Sequence, residues 1–348
     1  MTVSCHCFRK QPAPKLVIAV INSNITAIAA ELVAEQLKDV KVMAISRRGC
    51  LTTLPLVGDG ETLEKQFVPR SIRHSLRQIR AFDRFFEALA GGEPFDALIC
   101  HSADPLSQML MSHPLCRKFY YIEEGLTASV GKRLGRRSKR FTALKRRIWM
   151  VKSYFFYRNR FVKYSPHFYE TSSRKYGGAY ALSLTGFAGF PGRVQLPFHD
   201  LPSTGDDPQA EVLILTDSQY FIGGCSYEEY KRALLDCVRQ AAPAGARIAI
   251  KFHPGERTTA RKEDLQQALA ELPGIVSVKE LPSAFIAERM VGDSGAIVIV
   301  GTTALGLYMG SRGFRTITFA RRLHGSSPKI TAFIDDIPKV FFDVCEEG

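Results

Sequence analysis

Three short stretches combine residue types suited to proton transfer and to phosphate binding. The first is Glu123-Glu124-Gly125, directly after the apolar Tyr120-Tyr121-Ile122. Two adjacent carboxylates repel, and partial burial at a strand end can bring one of them into the range of a general base. The same pair could instead form a solvated turn. The second stretch is Lys251-Phe252-His253-Pro254-Gly255-Glu256-Arg257. Pro254 cannot continue a central strand, so the His253 imidazole is expected to project from a strand end. Lys251, His253 and Arg257 then suit an anionic phosphate, with His253 as a proton donor near neutral pH; a purely structural turn histidine is the alternative. The third is Gly301-Thr302-Thr303 before Ala304-Leu305. A strand, a glycine, two hydroxyls and a helix expose backbone N–H groups that bind anions, unless the threonines only cap the helix. A related strand end offers Thr216, Asp217 and Ser218.

The elements that must position these residues are short apolar runs alternating with amphipathic stretches. Residues 15–21, 40–46, 95–101 and 118–122 read as strands, with helices over 26–37 and 71–90. Between Pro197 and Ala210 the composition turns to Pro, Gly, Ser and Asp, a linker pattern. Afterwards strands are expected over 211–216, 247–252, 276–279 and 296–300, with 316–319 as the last. Helices are expected over 227–241, 264–272, 283–290 and 305–311. This alternation predicts an α/β chain of two doubly wound, Rossmann-like domains facing a central cleft. The expected organisation is a tail over 1–14, a first domain over 15–200 and a second over 201–348.

The 348 residues carry 47 Lys+Arg against 34 Asp+Glu, a formal net charge of +13, and 45% are hydrophobic. That composition excludes a disordered or collagenous chain. No apolar run reaches the ~18 residues of a membrane span, and the polar N-terminus lacks a secretory core, so a cytoplasmic location is expected. Eight scattered cysteines read as reduced, mostly buried thiols, the tight Cys5-His6-Cys7 cluster included. Residues 131–163 hold 13 Lys/Arg and no acid, as many charges as the whole excess. Arg136, Arg137, Lys139, Arg140, Lys145, Arg146, Arg147 and the single Trp149 mark this stretch as a grip on an anionic membrane face or acceptor. There each base contributes ~1 kcal/mol. Alternatively its apolar residues face the core and its bases stay solvated. No nucleic-acid-binding motif accompanies it, so nucleic acid is not an expected partner. An Asp-x-Asp metal pair, a Walker A loop, a Gly-x-Gly-x-x-Gly loop and a Gly-x-Ser-x-Gly elbow are all missing from the sequence. Kinase, dehydrogenase and serine-hydrolase chemistry therefore fall away.

Taken together, Glu123-Glu124-Gly125, His253-Pro254 and Thr302-Thr303 resemble the signature of the bacterial GT-B sialyltransferases and polysialyltransferases. Leu281 to Glu288 is similar to the family segment that holds the nucleotide ribose. The resemblance covers mainly residues 118–126 and 211–320. The family more often has Asp-Asp-Gly or Glu-Asp-Gly, and Ser-Ser in place of Thr-Thr. It implies an inverting, metal-independent transferase without a cofactor, moving sialic acid or a related nonulosonic acid from a CMP-sugar to a hydroxyl of a bacterial surface glycan, at the inner face of the cytoplasmic membrane. Glu124, or else Glu123, would be the base and His253 would assist the departing phosphate. Lys251, Pro254, Thr216, Asp217, Ser218, Gly301, Thr302 and Thr303 would bind the nucleotide-sugar, with Glu288 on the ribose. Kdo transferases and CDP-glycerol polymerases share parts of the His-Pro pattern, and both remain alternatives. So does a non-enzymatic protein binding an anionic surface or RNA through residues 131–163.

Overall fold

A computed structural model describes residues 14–47, 50–59, 72–102, 105–130, 169–198, 209–282, 285–290 and 295–348. The basic stretch 131–163, Cys5-His6-Cys7 and most of the expected linker lie outside the described residues. The chain divides into two compact units, one up to Pro197 and one from Phe198.

The first unit is a seven-stranded sheet built from β1 (Leu16–Ile21), β2 (Lys41–Ser46), β3 (Leu56–Asp59), β4 (Phe95–Ile99), β5 (Cys116–Ile122), β6 (Tyr176–Ala181) and β7 (Arg193–Gln195). Its strand order is 3-2-1-4-5-6-7, with every pairing parallel. Helices α1 (Asn24–Gln36), α2 (Ile72–Leu89), α3 (Pro105–Ser112) and α4 (Thr127–Val130) lie in the crossovers. All six residues of β1 and all five of β4 are buried, as befits parallel strands covered on both faces. Ser23 starts α1 through a capping box with Thr26, which satisfies N–H groups that the helix itself cannot. Phe86, Phe95, Phe119, Tyr121 and Phe187 join Ile18 and Val20 in the core.

The second unit contains β8 (Val212–Leu215), α5 (Tyr227–Ala241), β9 (Ala246–Lys251), α6 (Thr259–Ala270), β10 (Ile275–Glu280), β11 (Ile297–Val300), α7 (Ala304–Ser311), β12 (Thr316–Thr318), α8 (Pro328–Asp336), α9 (Lys339–Val344) and β13 (Glu346–Glu347). The order is 10-9-8-11-12-13, again all parallel. Counted from its own first strand, this repeats the 3-2-1-4-5-6 order of the first unit, so both are doubly wound, Rossmann-like units. In each, the order reverses beside the first strand, at β1/β4 and at β8/β11. Ser226 and Glu229 form the capping box of α5, with Glu228 also in its positive first turn.

Several expectations need correcting. Of the helix expected over 283–290, the described residues 285–290 make only a single 3-10 turn at Ala287–Arg289. The helix expected to begin at Asp264 starts at Thr259, on the turn that follows His253-Pro254. Residues 316–319 are not the last strand, because Glu346–Glu347 adds to β12. The expectations above omit strands β3, β6 and β7 and helices α3, α8 and α9, although Ser327-Pro328 is a helix-start signal for α8. In β6 the reason is Gly177: a Cβ there would meet the Tyr120 ring at 2.4 Å, so packing demands a residue that breaks the strand pattern. The thiols Cys100, Cys116, Cys225, Cys237 and Cys345 are buried and Cys50 is half-buried. Burial pushes Cys116 up to about 12, keeping it a thiol.

Candidate functional site

Open parallel sheets take ligands at the carboxyl ends of their strands, beside the point where strand order reverses. In the second unit that point lies between β8 and β11. Immediately after these strands come Thr216-Asp217-Ser218 and Gly301-Thr302-Thr303, brought together from 85 positions apart. Asp217 is fully buried. Its carboxylate accepts from the Thr302 N–H at 2.6 Å, the Thr302 hydroxyl at 3.0 Å and the Gln219 N–H at 3.0 Å. Burial still pushes its affinity for a proton up, with the Thr302 and Gln219 N–H groups opposing the shift. The Thr302 hydroxyl also accepts from Gln219 Nε2 at 2.8 Å. Both Thr302 groups suited to a phosphate, the N–H and the hydroxyl, are thus directed at Asp217. Gly301 is required here, since a Cβ would fall 2.3 Å from Asp217 Oδ2. Thr303 accepts from the Leu305 N–H at 3.3 Å and caps α7. The loop is a brace more than a cradle, and Ser218 is half-buried beside it.

One strand over, β9 ends at Lys251. The His253 N–H donates to the Thr216 hydroxyl at 2.8 Å, which ties this strand end to that of β8. His253 Nδ1 accepts from the Gly255 N–H at 2.9 Å. In the neutral ring the proton therefore sits on Nε2, making that nitrogen a donor. The ring packs on Phe221 with centroids 5.4 Å apart. Pro254 and Arg257 are exposed on the same turn, and Glu256 is buried there, accepting from the Thr258 N–H at 2.7 Å. Lys251 is half-buried and lies 5.8 Å over the Phe285 ring. Burial pushes its ammonium below the usual lysine range, while the Glu288 carboxylate opposes that shift. Glu288 is itself buried and pushed up by burial. Arg312 donates to its backbone carbonyl, which secures the turn.

In the first unit the two adjacent acids have separate fates. Glu123 is buried, and its carboxylate accepts from the Leu182 N–H at 2.7 Å, the Ser183 N–H at 2.9 Å and the Ser183 hydroxyl at 2.5 Å. It anchors the loop after β6. Glu124 is half-buried, and its Oε2 lies 3.7 Å from His101 Nε2. Of the pair, Glu124 is the carboxylate that keeps some exposure to solvent.

Sequence reasoning did not single out His101, Ser183, Gln219 or Phe221. The strand expected over 95–101 includes His101, yet β4 ends at Ile99. A polar residue just past an apolar strand, as at the ends of β5 and β9, is the signal that marks it. For the other three the sequence carries no signal, because their partners come from distant segments. Among the described residues no three His, Cys, Asp or Glu side chains gather as metal ligands, and no helix is long and apolar enough to cross a membrane.

No family model and no curated protein sequence matches the chain. Solved structures similar to it include a glycosyltransferase from Rickettsia africae ESF-5, with 10% identity, TM-score 0.46, and coverage of 88% of this chain and 79% of that one. The S. aureus MnaA–UDP complex aligns with 10% identity and TM-score 0.47 over 87% of this chain and 79% of the other. A UDP-GlcNAc 2-epimerase from Neisseria meningitidis bound to UDP-GlcNAc has 12% identity and TM-score 0.37, over 95% of this chain and 94% of its own. Likeness at this level assigns no activity to the chain.

Proposed function

We propose that the chain is an inverting glycosyltransferase of the GT-B type. It moves sialic acid, or a related nonulosonic acid, from a CMP-sugar to a hydroxyl of a bacterial surface glycan. The observation that carries this reading is the end of β9, where Lys251 stands partly desolvated and His253 has its Nδ1 held by the Gly255 N–H. A cation and a fixed Nε2–H donor on one strand end suit a departing phosphate monoester. A CMP-linked nonulosonic acid has one phosphate as leaving group, which asks for such donors.

The acceptor oxygen attacks the anomeric carbon as the bond from that carbon to the CMP oxygen breaks. Glu124 takes the acceptor proton and becomes neutral, while His253 Nε2–H donates to the departing phosphate oxygen. One displacement inverts the centre. In this reading Lys251 offsets the phosphate charge and Glu288 accepts from a ribose hydroxyl. Asp217, Thr302 and Gly301 hold the strand ends together, and Thr216 seats the His253 backbone. The basic stretch 131–163 would hold the enzyme to the anionic inner face of the cytoplasmic membrane or to an anionic acceptor.

The test is CMP release from CMP-sialic acid with a galactoside acceptor, without added metal. Turnover that disappears in Glu124→Gln and in His253→Ala supports the reading. Turnover only with CMP-Kdo moves the donor, and turnover only with CDP-glycerol moves the reaction class. Inertness towards all three, together with salt-dependent binding of RNA or anionic vesicles, overturns the enzymatic reading in favour of a binding protein.

A further inference from the structure

A histidine that the foregoing chemistry does not use stands beside the proposed base. Strands β4 and β5 are parallel neighbours with Ile99 opposite Tyr121, so the residues just beyond each strand emerge at one sheet edge. Two positions past β4 is His101; two past β5 is Glu124. The His101 Nε2 and the Glu124 Oε2 are 3.7 Å apart, and the side chains are only 19% and 25% exposed.

The backbone under both is clamped. The Cys100 thiol donates to the Val20 carbonyl at 3.4 Å, which fixes the exit of β4 against β1. Gln108 Nε2 donates to the Ser102 carbonyl at 2.9 Å from within α3. On the other side, the three hydrogen bonds of Glu123 hold the residue preceding Glu124. His101 thus follows β4, one of the two strands that border the point where the strand order of this unit reverses, and its side chain lies towards the end of β5.

We propose that His101 is a positioning residue for Glu124. In that role its Nε2 carries the proton and donates to the near carboxylate oxygen, Oε2, leaving the other to receive the acceptor hydroxyl. From 3.7 Å the contact closes by under about 1 Å to reach hydrogen-bond length, the kind of tightening that a bound substrate brings. A carboxylate free to turn would meet the acceptor in many orientations; one held by an imidazole meets it in few. The inference rests on the glycosyl-transfer reading of the same site.

The experiment compares wild type, His101→Phe and His101→Gln in steady-state CMP release, with far-UV circular dichroism confirming the fold. Loss of the donor in His101→Phe is expected to lower kcat about 10- to 100-fold, in line with the cost of a misplaced catalytic group, with the KM for the CMP-sugar unchanged. His101→Gln places an amide N–H near the Nε2 position and is expected to recover most of that loss. A merely structural histidine would lower stability in both variants without a kcat-only effect that glutamine rescues. Wild-type kcat in His101→Phe, or equal losses in both variants, overturns the inference while leaving the transferase reading intact. Wild-type protein that turns over no sugar nucleotide overturns the transferase reading. The pairing is then read separately, from the His101 imidazole titration followed by NMR in wild type and in Glu124→Gln. A difference between the two upholds the contact, and identical curves overturn it.

Discussion

Replacing the two adjacent acids one at a time should separate stability from catalysis. Glu123 receives three buried hydrogen bonds, at 2.7, 2.9 and 2.5 Å, and hydrogen bonds to a buried carboxylate contribute about 1.5–3 kcal/mol each. In Glu123→Gln one amide oxygen can keep both backbone donors, but without the help of the charge. The new amide N–H₂ then faces the Ser183 hydroxyl, which already accepts from the Gly186 N–H at 2.9 Å. There is no slack to relax into, because a Cβ on Gly186 would already lie 2.2 Å from Glu123 Oε2. Halving two charge-assisted bonds and disturbing a third predicts a loss of about 2 kcal/mol, roughly 30-fold in the folding equilibrium. Glu124 is half-buried beside His101, so Glu124→Gln should cost under about 0.5 kcal/mol, as surface changes do. Yet it should lower CMP release by about 100-fold or more, the contribution of a general base. Urea denaturation followed by far-UV circular dichroism gives the first quantity and steady-state CMP release the second. A Glu123→Gln protein as stable as wild type would refute the anchoring argument. A Glu124→Gln protein with full turnover would refute the assignment of the base.

Other outcomes follow from the same geometry. Gly301→Ala drives a Cβ to 2.3 Å from Asp217 Oδ2 and 3.1 Å from the Phe319 ring, so urea denaturation should show a loss of about 1–3 kcal/mol. Gly255→Ala places a Cβ 3.0 Å from the Phe221 ring and 3.1 Å from His253 Nδ1; because Gly255 is exposed, kcat should fall while the thermal midpoint barely moves. His113 is buried, accepts from the Leu115 N–H, and is pushed down to about 4 by burial and then by the nearby Lys175. Between pH 6.5 and 4 the unfolded chain binds a proton there that the folded chain refuses. Stability should therefore fall as pH drops through that window, by at most about 3 kcal/mol. His113→Asn, which keeps an acceptor near the Nδ1 position, should flatten the urea-midpoint profile across it.

How much was legible follows from what sets each feature. Buried parallel strands are continuous apolar runs, so β1, β4, β9 and β11 stand out along the chain; so do capped, amphipathic helices such as α5. Strand β6 was hidden because two of its residues, Gly177 and Gly178, dilute its apolar pattern, and Gly177 answers to Tyr120. Strand β13 was hidden because two glutamates pairing with β12 leave no periodicity to read.

By itself, then, the sequence determined that there are two α/β halves, and that polar residues stand where particular strands stop. Periodicity and proline or glycine punctuation act over a few residues, so they survive without tertiary information. Which polar residue turns inward was decided only by the assembled sheets. Glu123 was drawn to the Ser183 loop 60 positions away, leaving its neighbour Glu124 beside His101. Asp217 was drawn to Thr302, 85 positions away, which makes a brace from two groups that each read locally as ligand donors. A buried charge must find hydrogen-bond partners wherever parallel register delivers them, and that register is a property of the sheet rather than of any short stretch of chain.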